Sequence, residues 1–123
     1  MPWMALRLEN HLANTNEDID RNIEYALTRK VRGFQELVGT KSGAVSIVGS
    51  GPSLKNTWHR IEEVDGDIIA CNASHQFLLE RGIVPKYVMF FDADPLMLEF
   101  ITPHPNITYL VASRCPPKAF DML

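Results

Sequence analysis

Two short groups of residues in this chain have the types and the spacing that chemistry needs. The first is Gly49-Ser50-Gly51-Pro52-Ser53, which follows the apolar run Ala44 to Val48 and precedes Leu54. Two glycines let a backbone come close to a ligand, Pro52 suits the first turn of a helix, and Ser53 can cap that helix or donate to an anion. A strand, a glycine turn and a helix start leave free N–H groups and the positive end of a helix dipole together, which favours a negatively charged oxygen. A nucleotide phosphate is the expected occupant. The second group is Asp92-Ala93-Asp94-Pro95. Two carboxylates two residues apart at a strand end can share one hydrated Mg²⁺, a cation that takes few protein carboxylates and fills its shell with water and phosphate oxygens. Asp94 has a second reading as the cap of a helix that begins with Pro95.

Asn72 lies between the two groups, 23 residues after Gly49. A dinucleotide enzyme places an acid near this point to hold a ribose hydroxyl. An amide both donates and accepts, which suits a ribose, a phosphate or a base edge, and it can equally cap the following helix. Neither familiar nucleotide loop fits the glycine turn. The dinucleotide fingerprint wants a third glycine where Leu54 stands, and a P-loop would need its lysine earlier than Lys55. A plain tight turn between strand and helix is the alternative. Lys55, Ser74 and Arg114 are weaker candidates for phosphate contact, each also explained by ordinary solvation. His11, His59, His75 and His104 have no ligand spacing, and Cys71 and Cys115 lack a CxxC partner, so no zinc site is expected.

The elements that must hold these residues follow from the hydrophobic pattern. Ala44 to Val48, Asp67 to Asn72, Tyr87 to Phe91 and Ile107 to Ala112 are short apolar runs bounded by glycine, proline or polar residues, and read as strands. Residues 53–63, 73–81 and 95–101 read as helices between them, and Arg114-Cys115-Pro116-Pro117 opens another. Strands alternating with helices, each strand nearly continuous in apolar residues, predict an α/β fold with a mostly parallel sheet of about four strands and helices on both faces. Every carboxyl strand end then falls on one rim, where such sheets bind ligands: Gly49 to Gly51, Asn72, Asp92 with Asp94, and Ser113 with Arg114. Upstream, Thr15 and Asp18 have capping-box spacing, and Ile19, Ile23, Ala26, Leu27, Phe34, Leu37 and Val38 recur at helical intervals. They predict a long amphipathic helix over roughly residues 17–38. Residues 1–40 are therefore read as an N-terminal helical segment, and 41–123 as the nucleotide-binding domain. Trp3, Leu6 and Leu8 either pack on it or belong to a frayed leader.

Bulk properties narrow the class. At 123 residues the chain holds one domain, with 46% hydrophobic residues to build its core. A net charge of −3 argues against nucleic acid as a partner. No apolar run approaches a membrane span, and Met1 to Asn10 lacks the pattern of a signal peptide. Two unpaired cysteines fit a cytoplasmic protein.

The combined motifs resemble a known family. In order they are Val-Gly-Ser-Gly-Pro-Ser-Leu (48–54), Ala-Cys-Asn-Ala-Ser (70–74), Leu-Leu-Glu-Arg-Gly-Ile-Val-Pro-Lys-Tyr-Val (78–88) and Phe-Phe-Asp-Ala-Asp-Pro (90–95). Together they look like the MptE-like 6-hydroxymethylpterin diphosphokinase domain, over roughly residues 20–120. Motility-associated glycosyltransferases and certain bacterial sialyltransferases carry a similar turn. The resemblance implies a Rossmann-like domain with nucleotide at Gly49, Ser50, Gly51, Pro52 and Ser53, Asn72 beside it, and Asp92 as the strand-end acid. In the pterin enzymes ATP and Mg²⁺ serve the transfer of a diphosphate to a hydroxymethyl group; in the sialyltransferases a CMP-sugar donates a glycosyl group. Family members continue past the fourth strand, which implies that this sequence is part of a longer product or that a partner supplies the remainder.

Three expectations follow. The leading one is an ATP-dependent diphosphotransferase with a small-molecule acceptor. A nucleotide-sugar glycosyltransferase and a non-catalytic nucleotide-binding or assembly module are the alternatives. Self-association through the N-terminal helix or an exposed sheet edge is a further expectation.

Overall fold

The computed structural model describes residues 14–123. Its centre is a four-stranded sheet of β1 (Ala44–Val48), β2 (Gly66–Cys71), β3 (Tyr87–Phe90) and β4 (Thr108–Val111). All neighbours are parallel, and the strands lie in the order in which they occur in the chain. The register pairs Val48 with Ala70, Ala70 with Val88, and Phe90 with Val111. Consecutive strands are joined by α2 (Leu54–Thr57) running into a 3₁₀ helix at Trp58–Glu63, by α3 (Ser74–Leu79), and by a 3₁₀ helix at Pro95–Phe100. A last helix, α4 (Pro117–Met122), follows β4.

Strand order explains where the core sits. A parallel sheet wound steadily in one direction puts all its right-handed crossovers on the same face. The buried cluster accordingly joins Val48, Ala70, Val88 and Phe90 to Leu78 of α3, Met97 and Ile101 of the third connection, and Ala119 of α4. Leu54 and Ile61 pack on the same cluster. The expected helices on both faces are therefore corrected: among the described residues the helical layer covers one side only. The other side alternates with it and carries Val45, Ile47, Ile69, Met89 and Leu110. Ile47 there is 71% exposed and Val45 48%. The segment around Phe34–Leu37 borders this face over β3 and β4, and with Phe120 of α4 it frames an apolar groove of about 630 Å³ that is also lined by Val31, Met89 and Leu110.

The upstream helix is also shorter than its periodicity predicts. α1 spans Asn16–Thr28, opened by the expected capping box: the Thr15 hydroxyl accepts from the Asp18 amide, and the Asp18 carboxylate accepts from the Thr15 amide. It ends at Arg29, whose backbone is extended. Two interactions end it there. The Thr28 hydroxyl donates to the Tyr25 carbonyl, and Arg29 reaches across to α4, donating to the Phe120 carbonyl and pairing with Asp121. Phe34–Leu37 form a separate 3₁₀ turn followed by Val38 in extended backbone, with Phe34 and Val38 mostly exposed. Residues 1–13, including Trp3, Leu6, Leu8 and His11, lie outside the described residues. No helix among the described residues is long and apolar enough to cross a membrane.

Candidate active site

The carboxyl ends of the four strands make the rim on which the sequence places its candidates. At β1 the chain leaves the sheet through Gly49, Ser50, Gly51, Pro52 and Ser53, all exposed. The amides of Gly49, Ser50, Gly51 and Ser53 donate to no acceptor among the described residues, whereas Leu54 N–H is already held by the Gly51 carbonyl and Asn56 N–H by that of Ser53. Neither glycine is there to supply a left-handed backbone, since the positive-φ glycines are Gly39, Gly43 and Gly82. A Cβ built on Gly49 or Gly51 would meet nothing within 4 Å. Nothing among the described residues gives a reason for the missing side chains, and open space beside free amides is what a ligand backbone or phosphate needs.

The helix dipole contributes less than the pattern suggests. α2 is only 4 residues long before it tightens into a 3₁₀ helix, and few aligned peptide units make a small dipole. Ser53 has helical backbone angles and makes no side-chain cap. Its hydroxyl has no partner among the described hydrogen bonds.

Asn72 follows the last residue of β2 with φ 51°, the one described non-glycine residue in the left-handed region. Asparagine tolerates that region better than other residues with a Cβ, so its identity has a backbone reason. Its Oδ1 is buried and meets no donor among the described residues. The unusual turn is held by His75, which is fully buried. Nδ1 of His75 pairs with the Asn72 carbonyl and so carries the proton, while Nε2 accepts from the Thr102 amide at 3.2 Å. Burial pushes the His75 pKa below its ordinary value of 6.5. A neutral imidazole with both nitrogens bonded is a strut, not a ligand.

Ser74, a weak phosphate candidate from sequence, is 1% exposed and serves the fold instead. Its hydroxyl accepts from the Cys71 amide at 3.0 Å and lies 2.7 Å from the Val48 carbonyl, to which it donates. One side chain thus clamps the carboxyl ends of β1 and β2 immediately below the glycine turn. Sequence reasoning passed over this role because a buried serine at a helix start looks the same as a cap.

At β3 the two aspartates behave differently. Asp94 accepts from the Leu96 amide through Oδ1 at 2.9 Å and caps the 3₁₀ helix that starts with Pro95. Asp92 is exposed, and its Oδ1 accepts from the Asp94 amide at 2.9 Å. Its second oxygen has no described partner. No group of three or more His, Cys, Asp or Glu among the described residues could enclose a metal. Beyond β4, Arg114 stacks on Phe91, and Cys115 is buried with its thiol pushed up to about 11 by desolvation. Cys71 and Cys115 are both free. The candidates span the whole rim: β1 and β4 are separated by three interstrand spacings, roughly 14 Å.

A parallel α/β sheet with a glycine turn, an asparagine and an aspartate along its carboxyl rim is the class that fold and site define. The family model described as 6-hydroxymethylpterin diphosphokinase MptE-like matches residues 14–123, and the chain belongs to that family. No curated protein and no solved structure matches it significantly.

Proposed function

We propose that this chain is the nucleotide-binding part of a transferase of the 6-hydroxymethylpterin diphosphokinase type, moving a diphosphate from ATP to a hydroxymethyl acceptor. The observation that carries the reading is the glycine turn, where four backbone amides without acceptors among the described residues border space that no described side chain fills. Phosphate oxygens satisfy such amides, and the missing Cβ atoms let them approach. Family membership supports the diphosphokinase type.

The residues divide the work along the rim. The amides and hydroxyls of Gly49 to Ser53 hold the nucleotide phosphates. Asn72, fixed by His75, stands at the next strand end beside the bound nucleotide. Asp92 retains a carboxylate oxygen for Mg²⁺, whereas Asp94 is engaged as a cap and is the weaker ligand. Mg²⁺ needs no cage of protein groups, because water and phosphate complete its shell, so the donor set fits. When bound it supplies charge neutralisation. Phosphoryl transfer asks little covalent help, and these residues act mainly by positioning the donor and balancing charge. The free thiols support a reducing compartment, the cytoplasm.

Calorimetry against ATP, CTP, CMP and a sugar nucleotide, with and without Mg²⁺, tests the reading. Metal-dependent binding of ATP is the expected result. A preference for cytidine that ignores metal would transfer the assignment to a glycosyltransferase. Ser53→Ala is expected to weaken ATP by about 1.5–3 kcal/mol, one charge-assisted hydrogen bond, with the fold intact.

A further inference from the structure

Arg114 lies just beyond β4 and takes no part in the nucleotide site. Its guanidinium lies over the Phe91 ring, 5.1 Å from the centroid, so the end of β3 shields one face of the planar cation and sets its orientation. Its backbone carbonyl accepts from Asn22 Nδ2 of α1 at 2.9 Å, which ties the residue to a second element. Its Nε is buried and has no acceptor among the described residues. Arg21, Arg29, Arg32, Arg81 and Lys86 each pair with a carboxylate. Among the described residues Arg114 has no such pair. Asp92 follows β3 and Arg114 follows β4, and these strands are parallel neighbours paired through Phe90 and Val111, so both charges lie at the same end of the rim.

An arginine that is partly withdrawn from water, stacked and held by its backbone is costly to leave without an anion. Its fork of N–H groups fits two oxygens of one phosphate or carboxylate, a fit that lysine does not provide. We propose that Arg114 binds an oxyanion, the phosphate or diphosphate of a substrate group, at the β3–β4 end of the carboxyl rim and opposite the glycine turn. The inference rests on the proposed nucleotide site for its neighbour, because the two anion contacts then bracket one ligand path with Asp92 between them. Arg114 neutralises charge on the group that moves, the contribution phosphoryl transfer most needs from a protein.

Dicarbonyl modification of arginine, mapped by peptide mass, reads Arg114 in the unaltered protein. Inorganic diphosphate is expected to slow its modification about tenfold, an ion pair's worth of protection, and to leave the exposed Arg60 unchanged. Inorganic phosphate should protect less, and acetate at equal ionic strength should not protect. An unchanged rate at Arg114 in diphosphate overturns the proposal, and equal protection by acetate overturns the phosphate class. Arg114→Lys keeps the charge and loses the fork, so diphosphate should bind it about tenfold more weakly by calorimetry; parent-like affinity counts against the proposal. Gly51→Ala separates the two readings. If ATP binds this variant as it binds the parent while diphosphate still protects Arg114, the nucleotide site is misplaced and the arginine contact stands. If Gly51→Ala loses ATP and Arg114 is modified equally fast with and without ligand, the arginine contact alone falls.

Discussion

Gly51→Ala separates what the glycine turn does for the fold from what it does for a ligand. In the folded chain Gly51 does not have a positive φ, and a Cβ placed there meets no atom within 4 Å. The methyl group therefore adds no clash and no left-handed strain. It does restrict the unfolded chain, which stabilises a compatible site by about 0.4–1 kcal/mol and should raise Tm by a few degrees in a domain of this size. Binding should move the other way. The methyl occupies space that a phosphate must enter to reach the amides of Ser50 and Gly51. Losing one or two charge-assisted hydrogen bonds at about 1.5–3 kcal/mol each weakens ATP by at least roughly tenfold. Urea unfolding and calorimetry on the same preparation read the two effects separately. A variant that is more stable yet binds ATP as the parent does refutes the reasoning, because the space beside Gly51 would then serve no ligand. A variant that is clearly less stable refutes the description of the turn itself.

Gly66→Ala should behave in the opposite sense: its Cβ would lie 2.2 Å from the Ala44 carbonyl oxygen, a backbone atom in the neighbouring strand, so a loss of about 2–3 kcal/mol or more is expected in urea unfolding. At Asn72, alanine should cost about 1 kcal/mol because of the left-handed backbone, while glycine should cost nothing. If ATP binding falls equally in Asn72→Gly and Asn72→Ala, the amide acts on the ligand; parent-like binding in the glycine variant assigns Asn72 to the fold alone. His75 sets a pH dependence. Its folded pKa is lowered from 6.5, so the unfolded chain takes up the proton first, and stability is full above about pH 6.5 and declines as pH falls toward the folded value. Unfolding free energies measured between pH 8 and pH 5 should show that decline, and His75→Gln should lessen it.

How much of this was legible in the sequence depends on how local each cause is. The four strands are readable because each is a short apolar run closed by glycine, proline or a polar residue, and their observed ends differ from the reading by at most one residue. The rim is readable for the same reason, since a parallel strand must deliver its carboxyl end to one side. Strand order is not local. Nothing in Ala44–Val48 or Thr108–Val111 states that these strands lie farthest apart, and the one-sided helical layer follows only from that order. The helix expected through residue 38 failed at Arg29, whose guanidinium finds its partners in α4, about ninety residues away in sequence and invisible to periodicity. Asn72 did carry a usable signal: asparagine at a strand end is the residue that tolerates a left-handed turn. Ser74 did not, because its hydroxyl answers to the Val48 carbonyl, a group that no side-chain pattern displays.

The order of the strands also bears on how the molecule assembles. Each strand after the first lies beside its immediate predecessor, about twenty residues back, so every pairing closes a loop of similar modest size and none waits for a distant segment. A nascent polypeptide can add one strand-and-helix unit at a time to a template already laid down, in the direction in which a ribosome delivers it. Growth of this kind makes the earliest unit, with its glycine corner, the seed against which all later units are aligned.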